Sequence, residues 1–319
     1  VILLDELVSK WGFGSGISLF IAAGVTNQIL IRTFSFFPAT CIPGNLATCM
    51  PTAGNPPTGL FWQFLLHTLT GNTGKALASI APLLATAAVF ALVVYAQDVH
   101  IDIPLAFSAL RGFGRAWSLK LFYTSNIPVI LTAALLANLQ LMGRFGLTPV
   151  DGGIACSLLG CFDSRGNPVS GVIYYLTAPR NLLIDLLSFT VVPAELVRAV
   201  THTVFMTLLA MIFSVFWVST SGMDAASVAE QIESIGMQIP GYRRNKRVME
   251  SVLNRYIPAL AVLGGLSIGL LASFADITGA LGTGTGMLLT VMIVYNYYEE
   301  LRSQRLEEAH PLVRKVLGG

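Results

Sequence analysis

Apolar residues in this chain gather in long unbroken runs rather than in alternation. Six runs approach the roughly 20 residues needed to cross about 30 Å of hydrocarbon: 15–36, 78–97, 121–143, 197–219, 256–275 and 281–301. The last two flank a tight turn, Asp276-Ile277-Thr278-Gly279. The pattern predicts helices, because an open sheet leaves its backbone unsatisfied in lipid and barrel strands alternate with period two. Between the spans, 37–76 and 144–194 are richer in proline and hold all four cysteines. The first of these includes Phe61-Trp62-Gln63-Phe64-Leu65-Leu66, which is too short to span and suits the membrane interface. No low-complexity tract or residue-level repeat interrupts the pattern.

Composition makes a soluble reading untenable. The 319 residues are 54% hydrophobic and 11% charged, with a mean hydropathy of +0.69, whereas globular domains carry about 25% charged residues. Disorder, collagen and coiled coil are excluded by the same numbers, leaving an all-α polytopic membrane protein. The net charge of +2 adds little; the placement of the 19 Lys and Arg adds much. Thirteen fall on one side of the six-span arrangement: Lys10; Arg111, Arg115 and Lys120; Arg243, Arg244, Lys246, Arg247 and Arg255; Arg302, Arg305, Arg314 and Lys315. The positive-inside rule makes that side cytoplasmic, with the C-terminus, and turns both cysteine-bearing loops outward. The chain opens Val1-Ile2-Leu3-Leu4 with no signal-peptide pattern and reads as starting inside something longer.

Soluble-enzyme chemistry is not legible. Gly282-Thr283-Gly284-Thr285-Gly286 lacks the Lys-Ser/Thr ending of a phosphate loop and reads as a close helix contact or a flexible start to the last span. There is no HExxH and no Ser/His/Asp arrangement, and the four histidines (His67, His100, His202, His310) are scattered. The reading is therefore not an enzyme, with no cofactor and no metal. Coupled transport calls for ionisable residues mid-span, and the span centres hold uncharged polar groups instead: Asn27-Gln28, Ser125-Asn126, Asn138 and Gln140. A passive pore with aliphatic walls fits best; the alternative is a multispan secondary transporter of a small solute.

Several stretches then carry a resemblance. They are Leu3-Leu4-Asp5-Glu6-Leu7-Val8-Ser9-Lys10-Trp11-Gly12-Phe13-Gly14-Ser15-Gly16-Ile17 and Phe122-Tyr123-Thr124-Ser125-Asn126-Ile127-Pro128-Val129-Ile130-Leu131. Phe216-Trp217-Val218 with Gly222-Met223-Asp224, Gln238-Ile239-Pro240-Gly241-Tyr242-Arg243 and Arg255-Tyr256-Ile257-Pro258 follow in order. The last is Gly279-Ala280-Leu281-Gly282-Thr283-Gly284-Thr285-Gly286 running into Leu288-Leu289-Thr290. Together they resemble the SecY family, the protein-conducting channel of the general secretory translocon, in its archaeal and eukaryotic-like form. The resemblance implies spans five to ten of a ten-span channel, without the first four spans and the plug. It divides the chain into 1–36 (cytoplasmic loop and first span), an outer loop 37–76, and a C-terminal half 77–319. That half would have five spans, cytoplasmic loops near 98–120 and 220–255, and a tail 302–319.

The same resemblance assigns roles. Ile17 and Ile21, one turn apart on a helical face, would join Ile130 and Leu289 in an aliphatic pore ring that seals around a passing chain without exchanging hydrogen bonds. Asn138 would sit on the lateral gate, where a hydrogen bond worth about 0.6–2 kcal/mol could hold the seam, with Pro128 letting its helix bend. Arg243, Arg244, Lys246, Arg247 and Arg255, with Arg111, Arg115 and Lys120, would dock the ribosome or a motor through salt-sensitive contacts. Implied partners are SecE-like and small β-type subunits, the ribosome, signal sequences with nascent polypeptides, and membrane lipid. Cys41, Cys49, Cys156 and Cys161 face outward, where disulfides are permitted. Three pairings are open, the local one being Cys41–Cys49 with Cys156–Cys161, and free thiols are the alternative; the spacings fit no common zinc finger.

Overall fold

The computed structural model describes residues 2–11, 16–38, 50–51, 56–107, 114–124, 127–146, 148–150, 154–163, 166–179, 182–187, 192–234, 237–238 and 246–309. In chain order the first elements are α1 (Ile2–Trp11), α2 (Gly16–Phe34), α3 (Leu60–Leu69), α4 (Thr73–Gln97), β1 (His100–Phe107), β2 (Gly114–Lys120) and α5 (Ile127–Met142). There follow β3 (Thr148–Val150), β4 (Ile154–Ser157), β5 (Gly160–Asp163), β6 (Pro168–Gly171), α6 (Val172–Leu176) and α7 (Leu182–Leu187). The chain then runs through α8 (Pro193–Thr220), α9 (Ala225–Ser234), β7 (Met237–Gln238), α10 (Lys246–Ile277) and α11 (Gly284–Ala309). Contacts divide the chain into two units: 1–94 with 279–319, and 95–278.

Every expected span lies on a helix, but two differ from expectation. Among the described residues, α2, α4, α8 and the Arg247–Ile277 stretch of α10 are long and apolar enough to cross a membrane. The expected span 121–143 is shorter: 121–124 form a turn and α5 has 16 residues. Phe122 and Thr124 are buried in protein, so part of that apolar run serves packing. The expected span 281–301 becomes α11, 26 residues long, whose apolar start through Val294 gives way to tyrosines, Glu299, Glu300 and Arg302.

In the first unit, α2 packs along α11 and touches α1 and α3. Only Gly16 and Ala22 are buried along α2. The α4 side buries Ala81, Ala85, Val89 and Val93, four residues apart on one stripe, and the Thr86 hydroxyl accepts a hydrogen bond from the Leu281 backbone N–H (2.9 Å).

The second unit is built on the pairing of α8 with α10. One face of α8, Ala199, His202, Met206, Ala210, Ser214 and Val218, is buried. Opposite it, α10 presents a small residue every fourth position: Ala261, Gly265, Gly269 and Ser273. A Cβ on Gly269 would lie 2.6 Å from the Thr207 Cα, and one on Gly265 2.8 Å from the Met211 Cα. The backbones therefore approach as only small residues allow. The Ser214 hydroxyl donates to the Ala261 carbonyl (2.6 Å) and lies 3.1 Å from the Thr124 hydroxyl; Thr203 and Ser273 share another hydrogen bond (2.7 Å).

Two small antiparallel sheets, not anticipated from the sequence, decorate this unit. One has the order β2-β1-β7 and the other β3-β4-β5-β6.

Candidate functional site

The residues expected to line a pore start from how α2 begins. The Ile17 backbone N–H donates to the Asp5 carboxylate (2.9 Å), and a Cβ on Gly16 would meet the Asp5 Cα at 2.7 Å. Glycine thus lets α1 lie against the first turn of α2, orphan N–H included. Ile17 is exposed on that turn and Ile21, one turn later, is half-buried. Leu289 is buried on α11. The glycine-rich stretch before it is a helix start: Gly282 has φ +91°, and the Thr283 hydroxyl accepts from the Gly286 N–H (3.2 Å) as an N-cap. A Cβ on Gly286 would sit 3.2 Å from Val25, so this glycine also admits α2.

Ile130 belongs to the second unit, half-buried on α5. Asn138 is exposed two turns further on. Pro128 is the second residue of α5, where its N–H would have no helical partner in any case. A bend at Pro128, expected above, is therefore not called for; its carbonyl accepts from the Thr132 hydroxyl (2.8 Å).

The basic residues stand around a second packed feature. β1 pairs with β2 from His100↔Lys120 to Ala106↔Gly114, and its end also pairs with β7 through Phe107↔Met237. Because β7 is antiparallel to β1, its first residue, Met237, lies at the Phe107 end of the sheet, and Gln238 is one step nearer the His100 end. Beneath lies a hydrophobic core of Ile103 and Leu119 from the sheet, Val218, Val228, Ala229 and Ile232, and Met249, Leu253 and Ile257 from α10. Asp224 caps α9: its carboxylate accepts from the Ser227 N–H (3.4 Å). Hydrogen bonds from the Ser227 side chain and the local backbone hold that carboxyl below its ordinary value. The Tyr123 hydroxyl donates to the Met223 carbonyl (2.8 Å); burial first, and nearby Asp224 second, push it up to about 12.

On this frame Arg115 lies on β2 opposite Leu105, Lys120 ends β2 half-buried, and Lys246 opens α10. Arg247 and Arg255 are exposed on α10. Arg111, Arg243 and Arg244 lie outside the described residues, as do Cys41 and Cys49. Cys156 and Cys161 sit directly opposite each other in β4 and β5, Cα atoms 4.0 Å apart, joined as a disulfide. Among the described residues, no three His, Cys, Asp or Glu gather as a metal site.

One cluster escaped the sequence reading. The first three turns of α8 hold four successive carbonyls, two from the last residues of α6 and two just beyond it. Thr201 donates to Tyr175 O (2.8 Å), His202 Nδ1 to Leu176 O (2.7 Å), Arg198 Nε to Thr177 O (2.7 Å) and Arg198 Nη2 to Ala178 O (3.3 Å). These satisfy carbonyls that the end of a helix leaves open. Arg198 also lies 4.3 Å over the Tyr174 ring. His202 is 1% exposed, its Nε2 3.7 Å from the Asp276 carboxylate. A buried imidazole thus stands near the start of an apolar helix, away from the centre of the expected span 197–219.

The comparisons with known proteins fit these features. The SecY family model matches residues 1–298. The protein translocase subunit SecY of Pyrococcus furiosus is 41% identical over 100% of this chain and 66% of its own length. That of Methanococcus vannielii is 39% identical over 100% and 65%. This chain thus spans just under two thirds of the curated relatives it matches. Among solved structures, one concerned with the plug domain of the SecY protein superposes with a TM-score of 0.75 at 39% identity, covering 97% of this chain and 64% of that one. Sec61 in the canine ribosome-channel complex from the endoplasmic reticulum gives a TM-score of 0.69 at 37% identity, with coverage of 97% and 64%. A multi-pass, apolar helical architecture, an unbroken family match and whole-chain identity near 40% lead to one conclusion: the chain belongs to the SecY family.

Proposed function

We propose that this chain forms part of the wall of a protein-conducting channel, passing unfolded secretory polypeptides across the membrane and apolar segments sideways into lipid. The observation that carries the reading is the family match over residues 1–298; the relatives described above give a solute transporter no support. Ile17, Ile21, Ile130 and Leu289 serve as pore-ring residues, and their aliphatic chemistry suits a seal that closes by dewetting. Asn138 and Pro128 belong to the lateral gate. The channel role needs no catalytic group in this chain.

Docking of a ribosome or motor falls to the basic residues in and beside the β1–β2 hairpin, after β7 and in the first part of α10: Arg111, Arg115, Lys120, Arg243, Arg244, Lys246, Arg247 and Arg255. Eight Lys and Arg in these parts of the chain supply positive charge, which suits RNA phosphates and makes binding fall with salt. That side, with the C-terminus, is cytoplasmic. Translocon subunits of the SecE and β types, signal sequences and nascent chains are the partners. In chain order, 1–36 closes an N-terminal half, 37–76 is an outer loop, and 77–319 is the C-terminal half.

The test is crosslinking of a stalled secretory chain to a photoreactive group on Cys introduced at Ile17 or Ile130, in a complex containing the full family length. Crosslinks at both positions are expected. Their absence, with crosslinks instead to lipid, would overturn the pore assignment.

A further inference from the structure

The helix α3 is ten residues long, Leu60 to Leu69, about 15 Å at 1.5 Å per residue. It is far too short to cross a bilayer, yet it buries none of its residues, and Phe61, Leu65, Leu66 and Leu69 are exposed. Its position is fixed by the end of α2. The Trp62 indole N–H donates to the Phe34 carbonyl (3.0 Å), and the Gly59 N–H to Ser35 O (2.8 Å). A Cβ on Gly59 would stand 2.6 Å from the Ser35 carbonyl oxygen, so the approach requires glycine. The 19 residues of α2 rise about 28 Å, close to the hydrocarbon thickness, and Phe34 ends them. Whatever depth that end of α2 takes, α3 shares it.

Several of its polar side chains bond to nearby carbonyls. Gln63 donates to Pro57 O (2.7 Å), Thr68 to Phe64 O (2.7 Å) and Thr70 to Leu66 O (2.9 Å). At the C-terminal end, the carbonyls of Leu66, His67 and Thr68 accept from the N–H groups of Thr70, Asn72 and Gly71. Local bonds at the C-terminal end of a helix lower the cost of placing that end against apolar surroundings. The aromatic rings Phe34, Phe36, Phe61 and Trp62 stack edge-on or tilted at 5.4–6.1 Å, and tryptophan is a residue type enriched at membrane–water interfaces. The exposed face also continues the exposed lipid-type face of α2 formed by Leu30, Ile31 and Phe34.

We infer that α3 is an interfacial anchor, lying in the lipid boundary at the end of α2 with Leu65 and Leu69 in the acyl region. The occupant of its apolar face is lipid. The inference rests on α2 spanning the bilayer and is independent of the channel reading.

Spin labels on Leu65→Cys and Leu69→Cys, in the full chain reconstituted in phosphatidylcholine–phosphatidylglycerol vesicles, test it through collision with oxygen and with a water-soluble nickel chelate. The unsubstituted chain, labelled in parallel, gives the background. Leu84→Cys on α4 serves as the mid-span reference and Glu230→Cys on α9 as the aqueous one. Expected are oxygen collision rates several-fold above nickel at both positions, at a depth between the two references. Nickel access matching Glu230 would place α3 in water, and low access to both reagents would mean that a protein surface covers it; either result overturns the inference. The Trp62→Phe chain gives a second readout. Brominated lipid should quench the unsubstituted chain more than this variant, and equal quenching counts against the anchor.

Discussion

Two apolar helical surfaces in this protein look alike in composition and behave oppositely. The seam between α8 and α10 is closed by Ala261, Gly265, Gly269 and Ser273, with hydroxyls bridging at Ser214 and Thr203. By contrast, α2, mostly apolar but for residues such as Asn27, Gln28 and Arg32, buries only Gly16 and Ala22. In lipid, apolarity alone gives no reason for helices to associate, because the solvent is equally apolar. What distinguishes the seam is the loss of side-chain volume at one spacing and polar groups that find each other. What α2 keeps is a surface free to face lipid or a passing chain.

The strongest way to break this contrast is to restore volume at the seam. Gly269→Val and Gly265→Leu push a Cβ against backbone at 2.6 and 2.8 Å, and each should cost about 3 kcal/mol or more. The expected readout is a collapse in the thermal midpoint and in protease resistance of purified protein. Gly24 on α2 has nothing within 4 Å of an added Cβ, and Gly24→Leu should stay within about 1 kcal/mol of the original. Equal damage at both sites would mean that α2 is packed as the seam is.

Next in size is Ser214→Val, which removes a buried bond to Ala261 O and the contact with Thr124. A loss of about 1–2 kcal/mol is expected, seen as a lowered midpoint. Thr26→Val on the exposed face of α2 should stay within about 0.5 kcal/mol.

A smaller effect sharpens the contrast from outside the seam. Asp224→Ala removes the α9 cap and should cost about 1 kcal/mol near neutral pH. Because the Asp224 carboxyl is held below its ordinary value, this contribution is complete above about pH 4, the unfolded value. It is lost as pH falls through the lowered folded value. The deficit of the variant should therefore shrink in acid, measured as the difference in midpoint across a pH series.

How far the fold could be read from sequence varied with the physics behind each element. Long apolar runs specify membrane helices, since no other arrangement satisfies the backbone there, and α2, α4, α8 and α10 follow. The run at 121–143 misled because Phe122, Tyr123 and Thr124 are apolar or neutral for packing against protein. The hairpin β1–β2 did leave a trace: Ile101, Ile103, Leu105 and Phe107 alternate with His100, Asp102, Pro104 and Ala106. The far stronger signal of the neighbouring spans overshadowed it. The small-residue spacing on α10 was also visible, but spacing does not name a partner. His202 left no trace, because its burial and its carbonyl partner depend on where α6 returns to α8.

The hold of α8 on the carbonyls of residues 175–178 has a mechanical consequence. Bonds to four consecutive peptide groups, from three side chains spread over two turns, resist sliding and rotation together. Because β6 runs straight into α6, a load applied to the disulfide-stapled sheet reaches α8 near its first turns before any slack in a loop absorbs it. The sheet is a handle, and the helix it turns is the one most tightly keyed to α10.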